Sequence, residues 1–250
     1  LSFVAVFGIF WLNQPILKYL PKPKNNFQNF MVNVVSISIA AQIVTLPLVI
    51  FYFHQYSFIS IVANLIVIPF SEILIIFSLL MTVLIEFSVQ INWLNFIYDQ
   101  LVTKALQLIH FFADLDFAFH RMIPMTLLEM GVAFVVIWFL RFAVKKLSLK
   151  NVLKISYFII LFVALRFLLN YRASQISEVL VHHYYKDDII SVKTKDKVQF
   201  VLKGSENMKK IEKFVIEPYL TSRRINTYET EIIPDDVRKI VINGKEYHLK

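Results

Sequence analysis

Polar side chains recur within a long apolar run between Ser36 and Glu72. They are Gln42, Thr45, His54, Gln55, Asn64 and Glu72, and two prolines, Pro47 and Pro69, interrupt the same run. A polar group in hydrocarbon costs free energy unless a partner satisfies it, so such groups usually face a bundle interior or a wet cavity. Prolines are tolerated there because neighbouring helices and waters bond the freed carbonyls. The run therefore predicts the wall of a polar path through a membrane.

Five of these residues also have a simpler interpretation. In this interpretation Gln42 and Asn64 do no more than join helices by hydrogen bonds, which is an ordinary role for amides in membranes. Pro47 and Pro69 then simply kink their helices, and His54 is an interfacial side chain. Both interpretations stay open on these residues alone.

The composition indicates a membrane protein. Of the 250 residues 57% are hydrophobic, 24 are Phe, and the mean hydropathy is +0.61, whereas a soluble domain is ~45–50% apolar. Nearly all long apolar runs lie before Asn170. The absence of cysteine excludes disulfides, thiolate metal ligands and a thiol nucleophile. Because the sequence opens at Leu1 with mid-membrane character and no charged segment before it, we expect a fragment of a longer protein.

Apolar runs predict five helices of different character. Three of them read as membrane spans, over residues 30–53, 125–142 and 152–169. Residues 1–20 read as a span or the end of one, and residues 92–113 as an amphipathic helix. The amphipathic helix either lies on the bilayer surface or crosses it with its polar face toward a pore.

Residues 58–88 form a further apolar run that is too long for one upright crossing. At ~1.5 Å per residue a single helix would measure roughly 46 Å, and Pro69 lies inside it. We therefore expect two shorter pieces, forming a re-entrant or hairpin pair broken at Pro69.

Basic residues concentrate in two short segments, 18–24 and 141–150. Lys and Arg accumulate on the cytoplasmic side of membranes, so both segments are expected inside the cell. The chain must then cross an even number of times between His54 and Arg121. This supports the two-piece interpretation, places the amphipathic helix on the outer face, and places the tail outside the inner membrane.

The last eighty residues have the pattern of a soluble α+β domain. Strands are predicted over 178–185, 189–193 and 198–202, and a helix capped by Ser205 over 206–219. Two more strands flank Asn243-Gly244, a typical hairpin turn. The predicted fold is thus mainly α: a polytopic membrane domain with broken helices over 1–170, then an α+β tail over 171–250.

Several short motifs stand at set separations in the apolar background. They are Leu1-Ser2-Phe3, Gly8, Gln42, Thr45-Leu46-Pro47, Phe53, Tyr56-Ser57, Asn64-Leu65 and Ile68-Pro69. Their order and spacing resemble the competence domain of ComEC-type DNA-uptake proteins. The resemblance covers residues 1 to about 90. Residues 90–170 agree only in the order of their elements, an amphipathic stretch followed by membrane spans.

The resemblance implies an inner-membrane channel that passes single-stranded transforming DNA into the cytoplasm during natural competence. Its implied partners are single-stranded DNA, the lipid bilayer, a DNA receptor and a cytoplasmic motor protein, since the chain has no nucleotide-binding loop. The oligomeric state stays open. The candidate channel-lining or helix-break residues are Gln42, Thr45, Pro47, His54, Gln55, Asn64 and Pro69. Glu72 and Glu86 are acidic and fit poorly in a DNA lining.

Many members of that family also carry a metallo-β-lactamase-like nuclease domain, which the segment from Val179 to Leu202 faintly resembles. Its metal motif H-x-H-x-D-H is absent. His182 and His183 are adjacent and should point to opposite faces of a strand, so they cannot chelate one ion comfortably. The tail is expected to be a degenerate remnant or an unrelated cap without nuclease activity.

Two other functions stay open beside the channel. A membrane-embedded hydrolase would have Asp114, Asp116 and His120 as its best set, beside Arg121. A small-solute transporter or a membrane scaffold would also suit broken helices. A DNA path must be wide and not strongly negative, whereas a solute site is small and closed. We expect no catalytic residue, no metal and no cofactor.

Overall fold

The computed structural model describes residues 1–87, 91–115, 118–184, 187–203, 208–234, 237, 239–242 and 244–248. Contacts divide the chain into two compact units. The first unit comprises residues 1–49, 55–121 and 137–152. The second unit comprises residues 50–54, 122–136 and 153–250.

Six long helices account for most of the chain before residue 176. They are α1 (Ser2–Leu17), α2 (Asn26–Phe53), α3 (Ser60–Glu86), α4 (Asn92–Ala113), α5 (Leu127–Lys145) and α6 (Leu149–Gln175). In the part of the chain that is described, α2, α3, α5 and α6 are long and apolar enough to cross a membrane. All five predicted helices are present, and α4 has the predicted bounds. At 16 residues, α1 is shorter than the span predicted over 1–20.

Neither Pro47 nor Pro69 breaks its helix, so the two-piece prediction for residues 58–88 is wrong. α3 is one helix of 27 residues with Pro69 inside it, and α2 continues through Pro47 in the same way. An interior proline removes one backbone hydrogen bond. A break would expose several N–H and C=O groups at two new helix ends, which costs more in an apolar surrounding.

In the first unit, α3 and α4 form an antiparallel hairpin. Near the connection between them the Ser78 and Tyr98 hydroxyls are 3.0 Å apart. At the other end a short ribbon pairs β1 (Tyr56–Ser57) with β2 (Phe119–His120). The chain thus leaves this point along α3 and returns to it along α4. The α3–α4 hairpin therefore returns the chain to β1 without a break at Pro69.

The approach of α1 to α2 depends on Gly8. A Cβ atom at Gly8 would lie 2.7 Å from Val44 Cβ and 3.2 Å from the Ala40 carbonyl oxygen. Ala40, Val44 and Leu12 are buried beside it. Small residues at such a contact allow two membrane helices to pack backbone to backbone.

In the second unit, the tail forms a four-stranded sheet of order β3-β4-β5-β6. The first three strands are antiparallel, and β6 pairs parallel with β5. Between β5 and β6 lie α7 (Met208–Ile211), a π-helical turn (Glu212–Ile216) and α8 (Glu217–Arg223). The strands are β3 (Glu178–Tyr184), β4 (Asp187–Thr194), β5 (Lys197–Lys203), β6 (Tyr228–Ile233), β7 (Lys239–Ile242) and β8 (Lys245–His248). The predicted Ser205 cap and Glu206 lie outside the described residues.

Both faces of this sheet are covered. The helical segment packs on one face, where Phe200, Leu202, Ile216 and Leu220 are fully buried. Side chains of the β7–β8 hairpin pack on the other face, against Ile190 and Val201. The hairpin turns at Gly244, whose φ of +78° suits glycine, whereas Asn243 lies outside the described residues. The predicted α+β tail is confirmed.

Candidate functional site

Gln42, Thr45 and Asn64 line one cleft of the first unit, with a volume of about 300 Å³. Two further stretches complete its wall, the β1 residues Tyr56 and Ser57 and the first turn of α3. Its lining residues are Ala5, Ser38, Ala41, Gln42, Thr45, Leu46, Val49, Tyr56, Ser57, Ser60 and Asn64. The described lining is therefore neutral, with neither acid nor base.

Gln42 holds the non-helical connection between α2 and α3. Its Nε2 donates to the Ser57 carbonyl at 3.2 Å and also contacts Ser60 Oγ. Ser60 Oγ donates in turn to the Ser57 carbonyl at 2.9 Å. Non-helical backbone at membrane depth is tolerated only where protein or a wet cavity satisfies it. Gln42 thus lines the cleft and also makes the interhelical hydrogen bond that the simpler interpretation assigned to it.

Asn64 and Ser38 are two polar residues of the cleft whose side chains have no hydrogen-bond partner among the described residues. Asn64 is exposed, and no hydrogen bond occupies its amide within the described part of the chain. Ser38 is only 5% exposed, and its Oγ has no partner among the residues described. A buried hydroxyl without a partner is costly, so its position at a cleft indicates a group or water that enters. Sequence reasoning missed Ser38 because serines are common in membrane helices.

Thr45 contributes less polarity than its side chain suggests. Its Oγ1 donates to the Ala41 carbonyl of the same helix at 2.9 Å. This back-bonding satisfies the hydroxyl within α2.

The other predicted site residues lie apart from the described cleft lining. Pro47 is buried within α2, and Pro69 lies in the interior of α3. In the second unit, His54 adopts φ +53° at the end of α2, and its Nδ1 lies 3.2 Å from the Ile123 carbonyl oxygen. Gln55 is exposed. His54 therefore shapes a turn.

Residues 1–150 match the family model described as Competence protein. The chain belongs to the competence protein family. No curated protein and no solved structure gives a significant match. Membership supports a role in competence-related DNA uptake and an association with the membrane. The matched range includes α1 to α5 and the whole cleft, while the tail of this competence protein lies beyond it.

The hydrolase candidates of this competence protein do not form a described metal site. Asp116 lies outside the described residues, and His120 belongs to β2, where it pairs with Tyr56. Among described residues no group of three His, Asp or Glu could hold a metal ion. In the tail, His182 Nε2 lies 2.8 Å from Ser191 Oγ, whereas His183 pairs with Asp188. The adjacent histidines therefore point to opposite faces, as their spacing predicted.

The second unit of the competence protein contains a buried ionic cluster that the sequence analysis missed. Glu129 has no exposed surface and contacts Arg224, and Arg166 Nη1 lies 3.5 Å from it. Thr126 precedes the helix, and its backbone N–H donates to Glu129 Oε2 at 2.7 Å. The T-x-x-E sequence is a capping-box signature, which could have located Glu129 but not its arginine partners.

Proposed function

We propose that this competence protein contributes the wall and a narrow point of an inner-membrane channel for single-stranded DNA. The observation that carries the proposal is the neutral cleft, which contains the exposed amide of Asn64 and the hydroxyl of Ser38, unpaired among the described residues. Hydroxyl and amide groups can bond to bases or phosphates without repelling a polyanion. Family membership supplies DNA as the cargo class.

The size of the cleft makes it a narrow point of such a path. A volume of about 300 Å³ lies at the low end for a small-ligand pocket. Other surfaces of the channel must therefore supply the rest of the passage. The same small size favours the second candidate function, passage of a small solute.

The cysteine-free chain allows a direct test. Asn64→Cys and Ser38→Cys place single thiols in the cleft, and Ile76→Cys places one on α3 at a side chain that is 69% exposed. We expect a bulky thiol reagent to lower uptake of a labelled strand about tenfold or more in the cleft variants. It should leave uptake by the Ile76→Cys protein unchanged.

Two outcomes would count against the channel. Normal uptake after complete modification of both cleft thiols would exclude the cleft from the DNA path. Blocked solute flux with normal DNA uptake would support the small-solute transporter. A strand trapped during passage should also slow modification at Asn64→Cys.

The proposal includes an orientation and a division of labour. The segments 18–24 and 141–150 face the cytoplasm and the tail faces the periplasm, following the distribution of Lys and Arg. The protein passes DNA without cleaving it, a receptor delivers the strand, and a separate cytoplasmic motor supplies energy. The variants Lys22→Cys and Lys209→Cys, labelled in spheroplasts with an impermeant maleimide, test the orientation. The proposed orientation predicts labelling of Lys209→Cys and not of Lys22→Cys. The opposite result would show that the orientation is reversed.

A further inference from the structure

Two basic segments that are far apart in sequence meet in the first unit. The Lys18 ammonium donates to the Lys145 carbonyl oxygen at 3.3 Å. The Tyr19 hydroxyl donates to the Val144 carbonyl oxygen at 2.8 Å. These bonds attach the linker after α1 to the last turn of α5. The sequence placed both segments on one side of the membrane, and the structure puts them in contact.

The segments together form what we term the basic surface. Its members share an exposed, positively charged side chain: Lys18, Lys22, Lys24, Lys145, Lys146 and Lys150. Residues 18–28 and 141–151 include no Asp or Glu. Like charges held together without an acidic partner repel one another and raise the local positive potential. An anionic partner with several regularly spaced charges would relieve that repulsion.

Aromatic rings accompany the cations within residues 18–28, which include the first turn of α2. Tyr19 is 56% exposed although its hydroxyl is bonded, and Phe27 is 71% exposed. Cations that follow a phosphate backbone, combined with open aromatic faces on which bases stack, are the features that bind single strands without sequence preference. Arg141 is not part of this surface, because its guanidinium lies 5.1 Å from the centre of the Trp11 ring.

We infer that the basic surface binds the phosphate backbone of a single DNA strand on the side of the membrane where α1 ends. The inference rests on the proposed function for the identity of the polyanion. It assigns a division of roles within the protein. The neutral cleft lets the strand pass, and the basic surface holds it by charge.

The test measures binding of a labelled thymidine homopolymer of more than ~16 nucleotides to the full chain. The protein is reconstituted in nanodiscs of zwitterionic phosphatidylcholine, so that anionic lipid cannot compete. The surface variant carries Lys22→Gln, Lys24→Gln and Lys146→Gln, none of which makes a described bond between the segments. The matched control removes three exposed tail cations by Lys209→Gln, Lys210→Gln and Lys245→Gln.

We expect the surface variant to bind the strand at least ~10-fold more weakly at low salt than the wild type or the tail control. Each lost phosphate contact lowers the slope of log K against log[salt] by about 0.7. The slope should therefore fall by roughly 2 in the surface variant. Equal affinity and slope in the two variants would overturn the inference.

A second arm separates DNA from lipid as the anionic partner. The same variants are tested for binding to vesicles containing phosphatidylglycerol. If the surface variant loses vesicle binding but keeps oligonucleotide binding, the surface contacts lipid and the inference fails. Loss of oligonucleotide binding with normal strand uptake through the cleft would overturn the role in transport. If the wild type binds the oligonucleotide through the basic surface but modification of the cleft thiols leaves DNA uptake normal, only the channel proposal is refuted.

Discussion

The guanidinium of Arg224 pairs at two points with the carboxylate of Glu129, which lies 95 residues earlier in the chain. Arg224 Nη1 is 3.1 Å from Oε1, and Nη2 contacts Oε2. The Glu129 side chain is fully buried, and the Arg224 side chain is 6% exposed. Arg224 Nη1 also donates to Asn170 Oδ1 at 2.6 Å. The pair therefore joins the end of α8 to the start of α5 and to α6.

Removing Arg224 should destabilise the second unit strongly. An Arg224→Met protein would leave the Glu129 carboxylate buried without its main partner, and breaking such a pair costs about 3–5 kcal/mol. Thermal unfolding of the purified protein in detergent measures the loss. In the double variant Glu129→Leu/Arg224→Met the loss should be clearly smaller than the sum of the single losses. Additive losses would contradict a direct pairing.

An exposed ion pair of the tail supplies the control for this experiment. Lys239 and Glu246 lie 3.5 Å apart with side chains 60% and 61% exposed. Surface pairs contribute about 0–1 kcal/mol. Lys239→Met should therefore change unfolding little.

Substituting Gly8 should separate α1 from α2. Gly8→Ala adds a Cβ atom 2.7 Å from Val44 Cβ, a distance at which one helix must move. We expect a loss of about 1–3 kcal/mol, the usual range for overpacking. Gly131→Ala is the matched control, because nothing lies within 4 Å of the added atom. That change should be neutral or stabilise α5 by up to ~1 kcal/mol, and a loss as large as that of Gly8→Ala would exclude a specific contact.

Lys193 is a buried cation that caps the end of α6. Its Nζ donates to the carbonyl oxygens of Ala173 at 2.7 Å, Ile176 at 2.5 Å and Lys195 at 2.7 Å. Burial lowers the pKa of Lys193. Lys193→Met should destabilise the tail by a few kcal/mol, because a hydrogen bond from a charged group contributes about 1.5–3 kcal/mol. Faster proteolysis at the junction after α6 would report the same defect, and Lys197→Met, at an exposed position, should not show it.

Glu178 should make tail stability depend on acid pH. Burial alone would raise the pKa of Glu178, but hydrogen bonds from Arg223 and Tyr219 outweigh burial and lower it. A lowered pKa in the folded state gives stability that is present above the unfolded pKa of about 4.3 and lost as pH falls through the folded pKa. Glu178→Gln should therefore be less stable than wild type at pH 7, and the difference should vanish in strong acid. Unfolding across this pH range is the measurement.

A second carboxylate substitution controls for general charge effects. Glu246 is exposed beside Lys239, so Glu246→Gln should follow the wild-type pH profile. A Glu178→Gln protein whose stability difference from wild type is independent of pH would contradict the assigned ion pair.

Local patterns were sufficient to predict most of the secondary structure. The amphipathic repeat of α4 gave its bounds, and alternation located β3, β4 and β5 within two residues. These signals succeeded because helix and strand periodicities depend on near neighbours. β6 was missed because its sequence, YETEII, carries two glutamates and its pairing with β5 crosses a helical segment.

The break predicted at Pro69 shows where a local rule failed. The prediction rests on the length of the run at ~1.5 Å per residue and on the even number of crossings that the basic segments require. In an apolar surrounding, one lost hydrogen bond costs less than two new helix ends. The hairpin of α3 and α4, and not a break, returns the chain to β1.

The sequence by itself determined the apolar helices, the α+β tail, the family and three of the residues in the cleft. These follow from composition, from periodicity and from motifs at fixed spacing. The tertiary structure decided that Ser38 joins Gln42 and Asn64, that Gln42 satisfies the Ser57 backbone, and that Glu129 meets Arg224. Such contacts depend on the side of each helix that faces a neighbour and on how distant segments return to one another. A buried polar atom must find its partner in three dimensions, and no local pattern identifies that partner.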